Sequence, residues 1–480
     1  MAKRKTCAFL LAVTVSSLSS SGIGATLTLN EAQKLLASDG ESGDRFGQSV
    51  AVDGNTAVIG SRFDDDKGPD AGAAYVFVRA TGVWTQQAKL VASDGTSFDQ
   101  FGSSVALDGD TIVIGAYSDD SAYVFVRTAG GWTQQAKLLA SAGSGGAGFG
   151  GSVALDRDTA VIGAAFDDPG AAFVYSGAAY VFTRTAGVWA QAARLKASDG
   201  ASSDQFGFSV AVDGDTAVVG ARRDDDRTGS AHVFMRSAGV WTEQAKLLAS
   251  DGASTDEFGF SVAVDGDTAV IGAPFVGGGG PGTGSVYVFT HTAGGWTQDA
   301  KLLASGGAMS RQFGYSVALD DDIAVIGERL DSDYLAEAGS AYVFTRTAGV
   351  WTQQTRLLAS DAAEGDQLGW SVALDGGTAV IGAGFDESAY VFSLVSDPAT
   401  LLDQLRESVT GIGPGKSLAN KVALAQAYYA VPDVRSTCAV LTAFLREVAA
   451  QAGKKKLSDA QATAVMTSAL AIMSEIGCMG

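Results

Sequence analysis

Short apolar runs broken by Gly and Asp follow one another through residues 27–395. Four kinds recur in a fixed order: SVAV or SVAL, TAVIGA, AYVF followed by one residue and usually Arg, and WTQQAKL. Runs this short, rich in Val, Ile, Tyr, Phe and Thr, predict strands rather than helices. Asp-Gly or a variant joins the first strand to the second as a two-residue hairpin, and TAGV or TAGG makes a tight turn between the third and fourth. The set repeats seven times, from Phe46, Phe101, Phe149, Phe206, Phe258, Phe313 and Leu368, at spacings of 48 to 57 residues. Four antiparallel strands per period predict a propeller blade, and seven periods predict an all-β seven-bladed β-propeller.

The ends of the array predict how the ring closes. The seventh copy stops after its third strand, in SAYVFSL from Ser388, with no WTQQAKL behind it. LNEAQKLLAS, Leu29 to Ser38, aligns with WTQQAKLVAS, Trp84 to Ser93. The N-terminal strand therefore completes the last blade and leaves no free edge. Strand alternation puts the two short turns of every blade on one face and the longer, acidic, variable loops on the other, where binding is expected.

From Pro398 the apolar positions recur at threes and fours. This predicts helices in LLDQLRESV, SLANKVALAQAYYA, VRSTCAVLTAFLREVAAQ and SDAQATAVMTSALAIMSEI. Residues 398–480 are expected to form a small α-helical accessory bundle that needs a staple, and Cys438 with Cys478 would supply a disulfide. TGIGPGKS, from Thr410, resembles a phosphate loop but lacks the first Gly and follows a helix, so it reads as a linker.

The repeated Phe-Gly, small apolar strand, Asp-rich turn and AVIGA with its acidic loop resemble FG-GAP repeats. These are the blades of integrin α-subunit propellers and of many exported bacterial proteins. Integrin-type blades that bind calcium carry D-x-D-x-D-G-x-x-D in the first hairpin. Here that hairpin is short, as in Val52 to Thr56, too short to surround an ion with six to eight oxygens, and the site is not carried over. A different pattern, S-D-G-x-x-x-D-x-F-G, pairs Asp39 with Asp44, Asp94 with Asp99, Asp199 with Asp204 and Asp251 with Asp256. Asp361 with Asp366 is a variant, and the third and sixth repeats lack the pair. With backbone carbonyls such loops would take calcium, the one cofactor suggested. Equally, each Asp would cap a turn by accepting from nearby N–H groups. The tail is similar to the FIMAH domain of exported bacterial proteins, on G-x-x-x-SL-x-x-K, the CAVLTAFLREVAAQAGKK run and a terminal Gly-Cys. That resemblance implies an accessory or attachment module.

Charge and composition narrow the function. A net charge of −20 and a pI near 4.4 exclude a nucleic-acid partner, which needs a basic surface. Lys3, Arg4 and Lys5, then the apolar CAFLLAVTV and Ser- and Gly-rich residues up to Ala25, predict a signal peptide over 1–25. The mature chain is thus expected to be a secreted or cell-surface monomer without membrane insertion. Two histidines, His232 and His291, lie on different strands of different repeats and support no catalytic triad. Trp84, Trp132, Trp189, Trp241, Trp296 and Trp351 repeat with the scaffold, as packing residues would, and Trp370 stands outside that series. The expected function is non-enzymatic: a binding or adhesion scaffold engaging a protein or glycan through its loop face. The alternatives are an extracellular hydrolase or lyase using propeller carboxylates, and a structural cell-surface component.

Overall fold

The computed structural model describes residues 30–394, apart from residue 81 and the loop stretches 142–145, 169–174, 277–281 and 306–310. Of the tail it describes parts of 402–478, continuously over 417–431 and 433–451. The expected signal peptide lies outside the described residues, as does most of TGIGPGKS. Two compact units result, one spanning Leu27–Asp397 and the other including Pro398–Gly480.

The first unit consists of seven four-stranded antiparallel sheets. In the first blade Phe46–Asp53, Thr56–Ser61, Ala73–Ala80 and Val83–Leu90 pair in that order. The seventh combines Ser371–Asp375, Thr378–Ala383 and Ser388–Ser393 with Asn30–Leu35 from the other end of the array. Leu35 faces Ala389 and Glu31 faces Phe392 across this closing pair. The first strand of each blade lies beside the first strands of both neighbours, Ser371–Asp375 beside Phe46–Asp53 included, so the ring is complete.

Each blade buries both faces, because alternate side chains enter the cores on either side of it. Ala51, Val58 and Val76 of blade one meet Phe101, Ile112 and Tyr123 of blade two. Val380 and Val391 of blade seven meet Phe46, Tyr75 and Phe77 of blade one in the same way. The Phe of Phe-Gly sits edge-on to its own blade's Tyr, as Phe46 does to Tyr75 at 5.4 Å.

Two circles of polar bonds tie neighbouring blades together. Ser49, Ser104, Ser152, Ser209, Ser261, Ser316 and Ser371 each donate to the Phe-Gly or Leu-Gly carbonyl of the next blade, at 2.8–3.0 Å. The hairpin aspartates accept a backbone N–H from the next hairpin, from Gly109 on Asp53 around to Gly54 on Asp375. The motif glycines permit this approach. A Cβ on Gly60 would lie 2.1 Å from the Gly102 carbonyl oxygen.

In the tail, Ser417–Tyr429 and Val434–Gln451 are helices. Leu418, Val422, Leu441, Phe444 and Val448 share one core with Leu402, Leu405, Val465 and Ile472. Cys438 and Cys478 form a disulfide, with Cα atoms 5.4 Å apart.

Candidate functional site

Both candidate regions lie on the long-loop face, and the aspartate loops come first. Each first aspartate is held by a lysine of a fourth strand. Lys89 pairs with Asp39 (3.0 Å), Lys137 with Asp94 (2.8 Å), Lys246 with Asp199 (2.6 Å), Lys301 with Asp251 (2.6 Å) and Lys34 with Asp361 (2.8 Å). In four of these blades the same lysine reaches an aspartate of the second-to-third loop, such as Asp64, Asp119, Asp224 or Asp386. The blade's tyrosine donates into this group where one is present: Tyr75 to Asp64 (2.7 Å), Tyr123 and Tyr390 to both loops, and Tyr287 to Asp251. Burial alone would lower the lysines, but the carboxylates more than reverse it, and Lys34, Lys89 and Lys137 end well above the ordinary lysine value. The lysine likewise holds Asp94, Asp199, Asp251 and Asp361 below the ordinary carboxylate value.

The second aspartates have another task. Asp44, Asp99, Asp204, Asp256 and Asp366 accept the backbone N–H three residues earlier, from Glu41, Thr96, Ala201, Ala253 and Ala363. Burial pushes Asp44, Asp204 and Asp366 up rather than down. The two members of a pair therefore sit in unlike surroundings. Calcium takes six to eight oxygen ligands, and an ammonium already lies against each first aspartate, so the donor set here does not fit the ion. Among the described residues no three His, Cys, Asp or Glu side chains are grouped to hold a metal.

Blades three and six, which lack the loop pair, carry Arg in place of the lysine. Arg194 reaches Asp167 at 2.7 Å, and Arg356 reaches Asp331 and Asp333. The histidines are also accounted for. Buried His232 stands in the tyrosine position between Glu243 (2.7 Å) and Ser230 (3.0 Å), and His291 stacks on Trp296. Five of the repeating tryptophans lie against the third-strand arginine of their own blade, as Trp132 does with Arg127 at 4.7 Å.

The axis of the same face is built differently. Phe46 faces Ser61 while Ser49 faces Gly60, so Gly47 and Gln48 bulge out of the pairing. The residue after Phe-Gly, or Leu-Gly in blade seven, does not follow the repeat. It is Gln48, Ser103, Gly151, Phe208, Phe260, Tyr315 and Trp370 in turn. On blades four to seven these rings form a half-buried row. Phe208 and Phe260 are 5.1 Å apart, Phe260 and Tyr315 4.8 Å, Tyr315 and Trp370 5.3 Å, and Trp370 meets Phe385 at 5.5 Å.

Arginines just after two second strands stack on this row. Arg222 lies 3.7 Å over Phe208, and Arg329 lies 4.2 Å over Tyr315 and 4.6 Å over Trp370. Each is clamped by the residues that precede Phe-Gly or Leu-Gly in its own and the next blade. Arg222 donates to Gln205 (2.8 Å) and Glu257 (3.3 Å), and Arg329 to Gln312 (2.6 Å) and Gln367 (3.4 Å). Sequence reasoning missed this cup. Its signal was the one position beside Phe-Gly that changes from copy to copy, and the arginine that sometimes follows AVIGA.

A family model described as FG-GAP repeat matches residues 29–77, 84–125, 132–182, 189–234, 241–289, 296–344 and 351–392. A search of curated proteins found no match. Among solved structures, the chain is similar to one in a crystal structure of a mitotic checkpoint complex, at 14% identity and a TM-score of 0.49, covering 80% of this chain and 100% of that one. It is also similar to Kuenenia stuttgartiensis hydrazine synthase, at 13% identity and a TM-score of 0.49, covering 74% and 98%. A third is a protein from Lactobacillus plantarum, at 16% identity and a TM-score of 0.45, covering 65% and 85%.

Proposed function

Because this chain belongs to the FG-GAP repeat family, we propose that it is an exported, non-enzymatic scaffold that binds a protein or glycan through the long-loop face of its propeller. The observation that carries this reading is the axial cup. Residues that build the ring repeat from blade to blade, whereas Phe208, Phe260, Tyr315 and Trp370 share one bulge position with Gln48, Ser103 and Gly151. A packing role common to all blades would call for one residue type there. A half-open row of aromatic rings with stacked guanidiniums is the composition of a recognition surface. The lysines, rather than calcium, are read as the counter-ions of the loop aspartates. The helical tail is read as an accessory or attachment module.

A protein and glycan array probed with the mature chain, with calcium and with chelator, tests this. Capture that survives chelation and is lost in Tyr315→Ala, Trp370→Ala supports the reading. Capture unaffected by that double substitution, or no capture at all, contradicts it.

A further inference from the structure

We propose that the mouth of the propeller channel binds an acidic sugar, with Arg62 meeting its carboxylate and the ring row from Phe208 to Trp370 meeting its apolar face. This rests on the reading of the loop face as a binding surface. Arg62 occupies in blade one the position of Arg222 and Arg329. Its own blade, however, carries Arg45 where the other two have Gln205 and Gln312. A like charge cannot accept from a guanidinium, so this half of the clamp is missing. Arg62 makes no hydrogen bond or ion pair among the described residues. Its Nε is buried without a partner, and its guanidinium rests 4.4 Å over Phe63. Gln48, the bulge residue of the same blade, has a buried Oε1 that is also unpartnered. Arg45 itself lies 3.6 Å over Phe385, at the end of the ring row, and its charge adds to that of Arg62.

An orphaned buried donor or acceptor is unfavourable until something bonds to it. Here a donor that suits an anion and an acceptor that suits a hydroxyl stand on one blade, facing a mouth walled by aromatic rings. Arg62, Arg222 and Arg329 occupy equivalent positions of blades one, four and six around the ring, and the charges of all three act on the Tyr315 phenol. Glu257 is shared by Arg222 and Arg227, Asp70 acts on Arg62, and Glu337 acts on Arg329. Farther out, the loop aspartates gather around the belt lysines, and the positive charge of the cup comes from its own arginines. A pyranose bearing a carboxylate offers all three complements: an anionic edge, hydroxyls and a C–H face. A glutamate side chain offers only the first.

Titration calorimetry of the full mature chain with trigalacturonate, a glucuronate-terminated disaccharide, maltotriose and triglutamate tests this. At least one acidic sugar is expected to bind, with maltotriose and triglutamate at least tenfold weaker. Arg62→Gln is expected to weaken the acidic sugar at least tenfold with a circular dichroism melt no lower than the parent's, and Trp370→Leu to weaken it too. The proposal is overturned if neither acidic sugar binds, if maltotriose or triglutamate binds as tightly, or if Arg62→Gln binds like the parent. A chain that refuses these probes yet captures another ligand on the array overturns the acidic-sugar site alone. A chain that captures nothing overturns the scaffold reading as well.

Discussion

At the outer part of five blades a lysine ammonium sits against loop aspartates. At the axis of the same face arginines lie flat on aromatic rings, and one of them has no acceptor. The outer arrangement repeats, and where it changes it changes in step: Arg194 and Arg356 replace lysine in the two blades whose preceding loop lacks the S-D-G aspartate. The axial arrangement changes from blade to blade, and there compensation is incomplete: Arg222 and Arg329 are clamped by neighbouring Gln and Glu side chains, whereas Arg62 is not. Charge that recurs with the scaffold is satisfied within it. At the axis one such charge, Arg62, is left without a partner among the described residues.

The sharpest way to break the outer belt is to remove the strand that carries the lysine of the seventh blade. Deleting residues 30–38 takes away Lys34 and exposes the edge of Ser388–Ser393. Loss of the cooperative melt, or oligomers in size-exclusion chromatography, is expected. A monomer with the parental melt would mean that the ring closes without that strand.

Lys89→Met is the next largest effect. It leaves Asp64, whose side chain is 4% exposed, with the Tyr75 hydroxyl but no counter-ion, beside Asp39 and Asp66. Removing one partner of a buried pair costs about 3 kcal/mol, read as a lower urea midpoint at unchanged slope. An unchanged midpoint would show the belt to be a surface ornament.

Much of this architecture was legible before the structure. Six copies of Phe-Gly and one of Leu-Gly, each followed by AVIGA or a variant, announce seven blades, and the offset between LNEAQKLLAS and the truncated last copy announces the closing strand. The aspartate loops were legible as loops but not in their bonding, because a carboxylate that meets a lysine 50 residues away along the chain looks the same in sequence as one that caps a turn. His232 was legible only as a substitution. Its partner Glu243 stands where five other fourth strands place Gln and the closing strand places Glu31, and it comes near His232 through strand pairing. The cup was hidden because aligning repeats directs attention to what recurs, and the bulge position is the one that does not.

A smaller effect concerns blade six, the blade with the most altered belt. Glu328 stands where other second strands end in Ala or Ser, and burial, with help from Asp331 and against Arg311 and Arg356, pushes it up to about 8. Its folded value thus lies above the unfolded one, roughly 4.3. The stability it contributes is present in full below the unfolded value and is lost as pH rises through about 8. Melting temperatures of the parent and Glu328→Gln should converge near the acid end and separate toward pH 9, the variant being higher. Parallel curves would remove Glu328 from the account.

The most direct test of the division between belt and cup is the melting shift produced by a captured ligand, measured on the parent, Asp94→Asn and Arg62→Gln. A ligand of the folded state raises the melting temperature by mass action. Asp94→Asn, which loses its pair with Lys137, should melt lower without ligand yet show the parental increment. Arg62→Gln should melt no lower than the parent without ligand and show little or no increment. An increment lost in Asp94→Asn and kept in Arg62→Gln would place the ligand on the aspartate loops and contradict the account.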